Sequence, residues 1–150
     1  MHYEDLTQYS HCLKTPLPSV RNVGWLDAAQ HFPRGPVAGD FLPKLREVVC
    51  SVGALDVHVN KLRCFDDCSM CGEAGTFDFD GREVKLLSSE LWIPGLDRDT
   101  YWVAPSLLHH YVDAHAYRPP QEFIEAVMSL NCGSPYNAQE RYIQLVVGHS

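Results

Sequence analysis

The residues in this sequence best suited to chemistry are thiols and imidazoles. Cys68-Ser69-Met70-Cys71-Gly72 sets two thiols three positions apart on a stretch that Gly72 helps to turn. Two thiolates so spaced both reach one zinc ion at about 2.3 Å, which leaves two tetrahedral positions to fill. The candidates are Cys64, four residues earlier, and the downstream histidines His109, His110 and His115. Cys64 also reads as a small buried apolar residue beside Phe65, a common fate of free cysteine. On a regular helix, at about 100° per residue, His115 falls in the stripe of Leu107, Leu108, Tyr111 and Val112. His109 falls on the polar side with Asp113, and His110 at the stripe's edge, about 140° from His115. His110 and His115 can then share one ion only if the helix frays or ends before His115. Pro119 favours such an ending by pushing Arg118 out of helical space. The resulting site is structural Zn2+ on Cys68, Cys71, His110 and His115, with Cys64 as a further ligand candidate. The alternative makes each histidine a core residue satisfied by a backbone carbonyl.

Other chemistry has less support. A cysteine–histidine nucleophile would need an oxyanion motif, and none accompanies these residues. The Cys-x-x-Cys does not open a helix after a βαβ-type strand, so a thioredoxin-like role does not follow. Asp66-Asp67 and Asp78/Asp80 are explained as a solvated loop and an exposed strand face. No phosphate-binding glycine loop is present. No catalytic residue is assigned. If zinc kept a water-bound position, three of Cys64, Cys68, Cys71, His110 and His115 would hold it, with Glu73 or Asp113 as general base. Paired thiols favour a closed structural site over that zinc-dependent hydrolase.

The elements that must position these residues follow from periodicity. Val20 to Leu26 reads as a strand, and the Pro/Gly-rich segment 33–39 breaks the chain. Asp40 then caps a helix carrying Phe41, Leu42, Leu45, Val48 and Val49 and ending near Cys50. Leu55, Val57 and Val59 alternate with Asp56, His58 and Asn60 as a half-buried strand. Phe77 and Phe79 begin a hairpin that turns at Asp80-Gly81 and returns through Val84 to Leu87. Strands at 90–93 and 100–103 complete an antiparallel meander. Three helices follow: one after Pro105; one started by Pro119-Pro120, striped by Phe123, Ile124, Val127 and Leu130 and ended by Gly133; and a last one with Asn137 and Glu140 as a capping box. The three tryptophans, Trp25, Trp92 and Trp102, read as core aromatics. The expected fold is α+β, a small antiparallel sheet with three to four helices packed on one face. Residues 1–150 form a single domain with a zinc-binding turn around 64–72.

With 150 residues and 45% hydrophobic content the chain can bury one core. Its 12 Lys and Arg against 19 Asp and Glu give a net charge of −7, which repels phosphate backbones and argues against a nucleic-acid partner. The opening MHYEDLTQYS carries two acids and no apolar run, so neither a signal peptide nor a membrane anchor is expected. In the reducing cytoplasm implied, the six cysteines point to metal ligation or burial rather than disulfides.

Two further stretches carry a family resemblance: Tyr101-Trp102-Val103-Ala104-Pro105-Ser106-Leu107-Leu108-His109-His110-Tyr111 and His115-Ala116-Tyr117-Arg118-Pro119-Pro120-Gln121-Glu122-Phe123. With Tyr3-Glu4-Asp5-Leu6 and Asn22-Val23-Gly24-Trp25-Leu26-Asp27, the chain up to about Val127 resembles a bacterial family of small proteins of unknown function. Its members carry a Cys-rich turn, an AP-x-L-x-x-HY helix start and an H-x-Y-x-PP-x-x-F continuation. The resemblance implies the same four residues, Cys68, Cys71, His110 and His115. The approach Arg63-Cys64-Phe65-Asp66-Asp67 and the insertion through Asp80-Gly81 depart from the family's pattern, and the tail after Leu130 has no counterpart. The resemblance also implies an immunity protein, since small acidic proteins of this kind often sit beside toxin genes. The expected function is therefore a zinc-stabilised, non-catalytic binding protein whose partner is another protein, such as a basic toxin. A zinc-dependent hydrolase and a metal-free α+β domain are the alternatives.

Overall fold

The computed structural model describes residues 2–149 apart from Cys12, Lys14, Thr15, Ala74 and Arg98. Among the described residues the elements run β1 (Gln8–Tyr9), β2 (Leu17–Asn22), α1 (Phe41–Val49), β3 (Leu55–Asp56), β4 (His58–Val59), β5 (Phe77–Phe79), β6 (Arg82–Val84), β7 (Glu90–Pro94), β8 (Tyr101–Pro105), α2 (Leu108–His115), α3 (Gln121–Met128), β9 (Tyr136–Asn137) and α4 (Ala138–His149). No helix of these residues is long and apolar enough to cross a membrane.

The fold is α+β, around a five-stranded sheet of order β1-β2-β8-β7-β4. This sheet is mixed, not antiparallel throughout. Strand β2 runs parallel to β8, with Val20 opposite Tyr101 and Asn22 opposite Val103, while the other neighbours are antiparallel. The β2–β8 connection is a long crossover containing α1, the kind of link a parallel pair requires and a meander lacks.

Strand β7 explains the layering. Leu91, Trp92 and Ile93 are consecutive and fully buried, so the sheet must be covered on both faces. Leu91, Ile93 and Ala104 face the larger core with α1, α2 and α3. Trp92, Tyr101 and Val103 face a smaller one, closed by Tyr9 and Leu17 and by Ala138, Tyr142 and Leu145 of α4. Packing of all helices on one face therefore holds for α1 to α3 only. Helix α4 lies on the other face, where the Tyr142 ring meets Trp92 edge-on at 5.4 Å.

Local signals were followed closely in several places. Asp80 and Gly81, at φ of 53° and 76°, make the two positive-φ positions of the hairpin joining β5 and β6, which forms a separate two-stranded sheet. Asn137 Oδ1 accepts the Glu140 amide at 3.0 Å, one half of a capping box. Elsewhere the elements shift. β2 starts at Leu17 and stops at Asn22, because Gly24 turns the chain at φ 76°. α3 ends at Met128 with Ser129 as its cap, well before Gly133, as the Leu130 amide turns back to the Val127 carbonyl. The 55–60 strand splits in two: Asp56 Oδ1 captures the His58 amide at 3.1 Å, so β3 pairs with β9 and β4 with β7.

His58, on the polar side of the expected alternation, is buried. Its Nδ1 lies 2.8 Å from Ser89 Oγ and its Nε2 2.7 Å from the Val49 carbonyl. Burial pulls its pKa below the ordinary 6.5, only partly offset by the Val49 carbonyl. The unfolded chain thus takes up a proton that the folded one resists. The stability at stake is complete above pH 6.5 and is lost as pH falls from there through the folded-state pKa. Denaturant titrations between pH 7.5 and 5 should show stability falling with acidification, with a shallower slope in His58→Gln. Equal slopes would remove His58 as a cause.

Candidate metal centre

The two cysteines sit in a tight loop between β4 and β5. The Cys68 amide donates to the Glu73 carbonyl and the Gly72 amide to the Cys68 carbonyl, both at 2.7 Å, with Gly72 at φ 76°. Inside this loop the amides of Met70 and Cys71 donate toward the Cys68 sulfur, which favours its thiolate, whereas burial, the larger effect, pushes the thiol up. A nearby cation would resolve that conflict in favour of the thiolate.

The imidazoles come from α2, which the sheet feeds directly: β8 ends at Pro105 and the helix begins at Leu108. On a regular helix His110 and His115 would diverge. Here the amides of Ala116 and Tyr117 both donate to the Tyr111 carbonyl, and Ala116 takes the left-handed conformation at φ 56°. The i→i−5 closure widens the last turn, which draws side chains five apart towards one another. The two rings consequently lie 5.1 Å apart, centroid to centroid, although His115 is still helical.

The segment 33–39 holds that ending in place. The Gly35 amide donates to the Ala116 carbonyl at 3.1 Å and the Arg118 amide to the Pro33 carbonyl at 3.0 Å, while Arg118 Nη1 reaches the Pro36 carbonyl at 2.7 Å. The N-terminal segment adds a second brace. Asp5 accepts the Gly24 amide at 3.0 Å and the Tyr117 hydroxyl at 2.8 Å, so the opening YEDL, the NVGW turn and the chain after His115 are tied at one carboxylate. Nothing local in the sequence links positions so far apart, so the convergence of these segments is visible only in the fold.

Cys68 Sγ lies 3.4 Å from His115 Nε2, and Cys71 Sγ lies 3.3 Å from His110 Nε2. All four ligand atoms are within 4.8 Å of one another, a group that could hold a metal ion. Cys68 and His110 are buried, His115 is half-buried and Cys71 is exposed. Burial, followed by the neighbouring His115, holds the His110 pKa below its usual value, which keeps the imidazole in its neutral, ligating form. Gly75 seals the contact between the cysteine loop and α2. At φ 68° it lies so close that a Cβ would come within 2.9 Å of Leu107 Cδ2 and 3.0 Å of His110 Cβ.

The other candidates lie outside this group. Cys64 is exposed, and its carbonyl accepts the Ser88 amide. His109 is buried against Phe77, ring centroids 4.5 Å apart, with its pKa lowered by burial to about 4. Glu73 is exposed, and Asp113 pairs with Arg46 at 3.4 Å on the surface. Tyr111, beside His110 on α2, is pushed up to about 12 by burial and then by the negative field of Cys68, Asp66 and Asp27.

Comparison with curated proteins yields no match, and neither does comparison with solved structures. Residues 1–128 match the family described as Domain of unknown function (DUF7919). The match takes in all four Cys and His residues and stops before β9 and α4. Covering most of the chain, it makes this protein a member of the DUF7919 family.

Proposed function

We propose that the protein is a non-catalytic binding protein whose fold is stabilised by one zinc ion on Cys68, Cys71, His110 and His115. The observation that carries this reading is the convergence of two thiols and two imidazoles, from segments about forty residues apart in the chain, to within 4.8 Å. A tetrahedral site with metal–sulfur bonds of about 2.3 Å and metal–nitrogen bonds of about 2.0 Å has sulfur–nitrogen edges of about 3.5 Å. The two cross-segment contacts, at 3.4 and 3.3 Å, lie close to that edge. Two sulfurs and two nitrogens satisfy a tetrahedral ion completely and leave no water position for hydrolysis. That closure favours a structural role over the hydrolase, as does the engagement of Asp113 with Arg46.

The partner in this reading is a basic protein, drawn by the net charge of −7. An immunity protein that captures a basic toxin is its most specific form. Native mass spectrometry of untagged protein, purified without added metal, tests the centre. We expect one zinc per chain, and tetrahedral thiolate-bound cobalt absorption after exchange. A metal-free, stable, monodisperse chain would falsify the reading.

A further inference from the structure

A cavity of about 500 Å³ opens beside the cysteine loop, lined by none of the four candidate metal ligands, and lies within the size range of small-molecule sites. Its walls come from the loop itself (Asp66, Asp67 and Ser69), the turn after β2 (Trp25 and Asp27), the start of α2 (Tyr111) and the tail helix (Tyr142). Four carboxyl groups line it, with one histidine, His11, and no lysine or arginine among the described residues.

Glu90 sets the chemistry. It is only 7% exposed, yet its hydrogen bonds come from neutral donors: Tyr9 Oη at 2.7 Å and Trp92 Nε1 at 3.3 Å to Oε1, and Asn60 Nδ2 at 3.3 Å to Oε2. Among the described residues no lysine, arginine or histidine pairs with it. Buried carboxyl groups normally have a counter-charge, and here the open side of the group is the cavity. The aromatic walls narrow the choice of cation. Trp25 and Tyr142 line the cavity, and the Trp25 indole N–H is already spent on the Val103 carbonyl, so the indole brings aromatic carbon and no free donor to the wall. The carboxylates come from three walls, Asp66 and Asp67 sharing one, and among the described residues they form no converging group as the four Cys and His atoms do, which disfavours a bare metal ion. Dispersed negative charge with aromatic faces suits a flat or alkylated organic cation.

We infer that this cavity binds a guanidinium or alkylammonium group, either a free small molecule or a basic side chain of a protein partner. The inference does not rest on the identity of the metal, since Glu90, Trp25 and Tyr142 lie outside the metal centre. Isothermal titration of the protein as purified, its metal content measured in parallel, compares N-acetyl-arginine amide with the isosteric, uncharged N-acetyl-citrulline amide. Saturable one-to-one binding, at least ten-fold tighter for the arginine compound, is expected. Glu90→Gln should weaken it ten-fold or more. Asp66→Asn/Asp67→Asn, at exposed positions that do not threaten folding, should weaken it several-fold. Agmatine and a short peptide with one central arginine then separate the sources: comparable affinity points to a small molecule, and a clear preference for the peptide to a protein side chain. Lack of saturation, equal affinity for the citrulline compound, or indifference to both sets of substitutions would overturn the inference.

Discussion

Serine at Cys68 or Cys71 should abolish binding of the proposed zinc and lower the thermal midpoint by on the order of 10 °C. Removing a thiolate from a four-ligand site leaves a weak three-ligand one, and a ligand that binds only the folded state stabilises it by about 4 kcal/mol when present at a thousand times its Kd. In a domain of this size each kcal/mol shifts the midpoint by roughly 2–4 °C. Cys68 is 1% exposed, so a hydroxyl there would cost something even without a metal. Chelation separates the two effects. A strong chelator should bring the parent close to the midpoint of Cys71→Ser, an exposed position, and leave that variant almost unmoved. Cys64→Ser, outside the cluster, should retain both metal and midpoint. Parent and Cys71→Ser proteins with the same metal content and the same chelator response would sink the structural-zinc reading.

Alanine at Gly75 should destabilise the fold by about 2–4 kcal/mol, the sum of left-handed strain and overpacking against a neighbour with little room to yield. Its methyl would press on Leu107 and on the Cβ of His110, which moves only with the backbone of α2. The cysteine loop and the imidazole would be pushed apart, so metal affinity should fall together with stability. Gly72→Ala is the internal comparison. That glycine has nearly the same φ, 76°, but open space around it. It should cost on the order of 1–2 kcal/mol of backbone strain and leave metal content intact. Similar losses in the two variants would show that φ, and not the packing of the loop on α2, governs the site.

Much of the molecule was legible where the signal was local. The α1 helix, the Asp80-Gly81 hairpin and the Asn137 cap each depend on residues within a few positions and each formed, although Asp40 stands at the N-cap of α1 without a side-chain cap hydrogen bond and the hairpin returns through Arg82–Val84, earlier than the expected Val84–Leu87. What could not be read depends on partners remote in the chain. The parallel pairing of β2 with β8 is set by a crossover of about eighty residues, and the burial of His58 by Ser89 and Val49. Three successive apolar residues in β7 were in principle the signal that both sheet faces are covered, yet the same run also fits a short one-sided strand. The Cys/His group is an intermediate case. Residue types and spacing nominated the four residues, while ideal helix geometry opposed pairing His110 with His115. The opposition is removed by the i→i−5 closure on Tyr111, a feature that depends on the bracing of residues 33–39 and Asp5.

The hairpin of β5 and β6 forms its own small sheet and, among the described residues, pairs with no strand of the main one. Its approach from β4 carries Cys68 and Cys71, whose imidazole partners lie 47 and 39 residues further along the chain. An ion shared by these positions would act as a cross-link that closes a ring through the hairpin. By the chain-entropy reasoning used for disulfides, a closed ring of that size restricts the unfolded ensemble by about 4 kcal/mol. The metal would then add a tether between this excursion of the chain, which otherwise holds to α2 by packing alone at Gly75 and Phe77, and the helix emerging from the central sheet, and amide exchange in residues 60–88 would report on the tether before the rest of the protein opened.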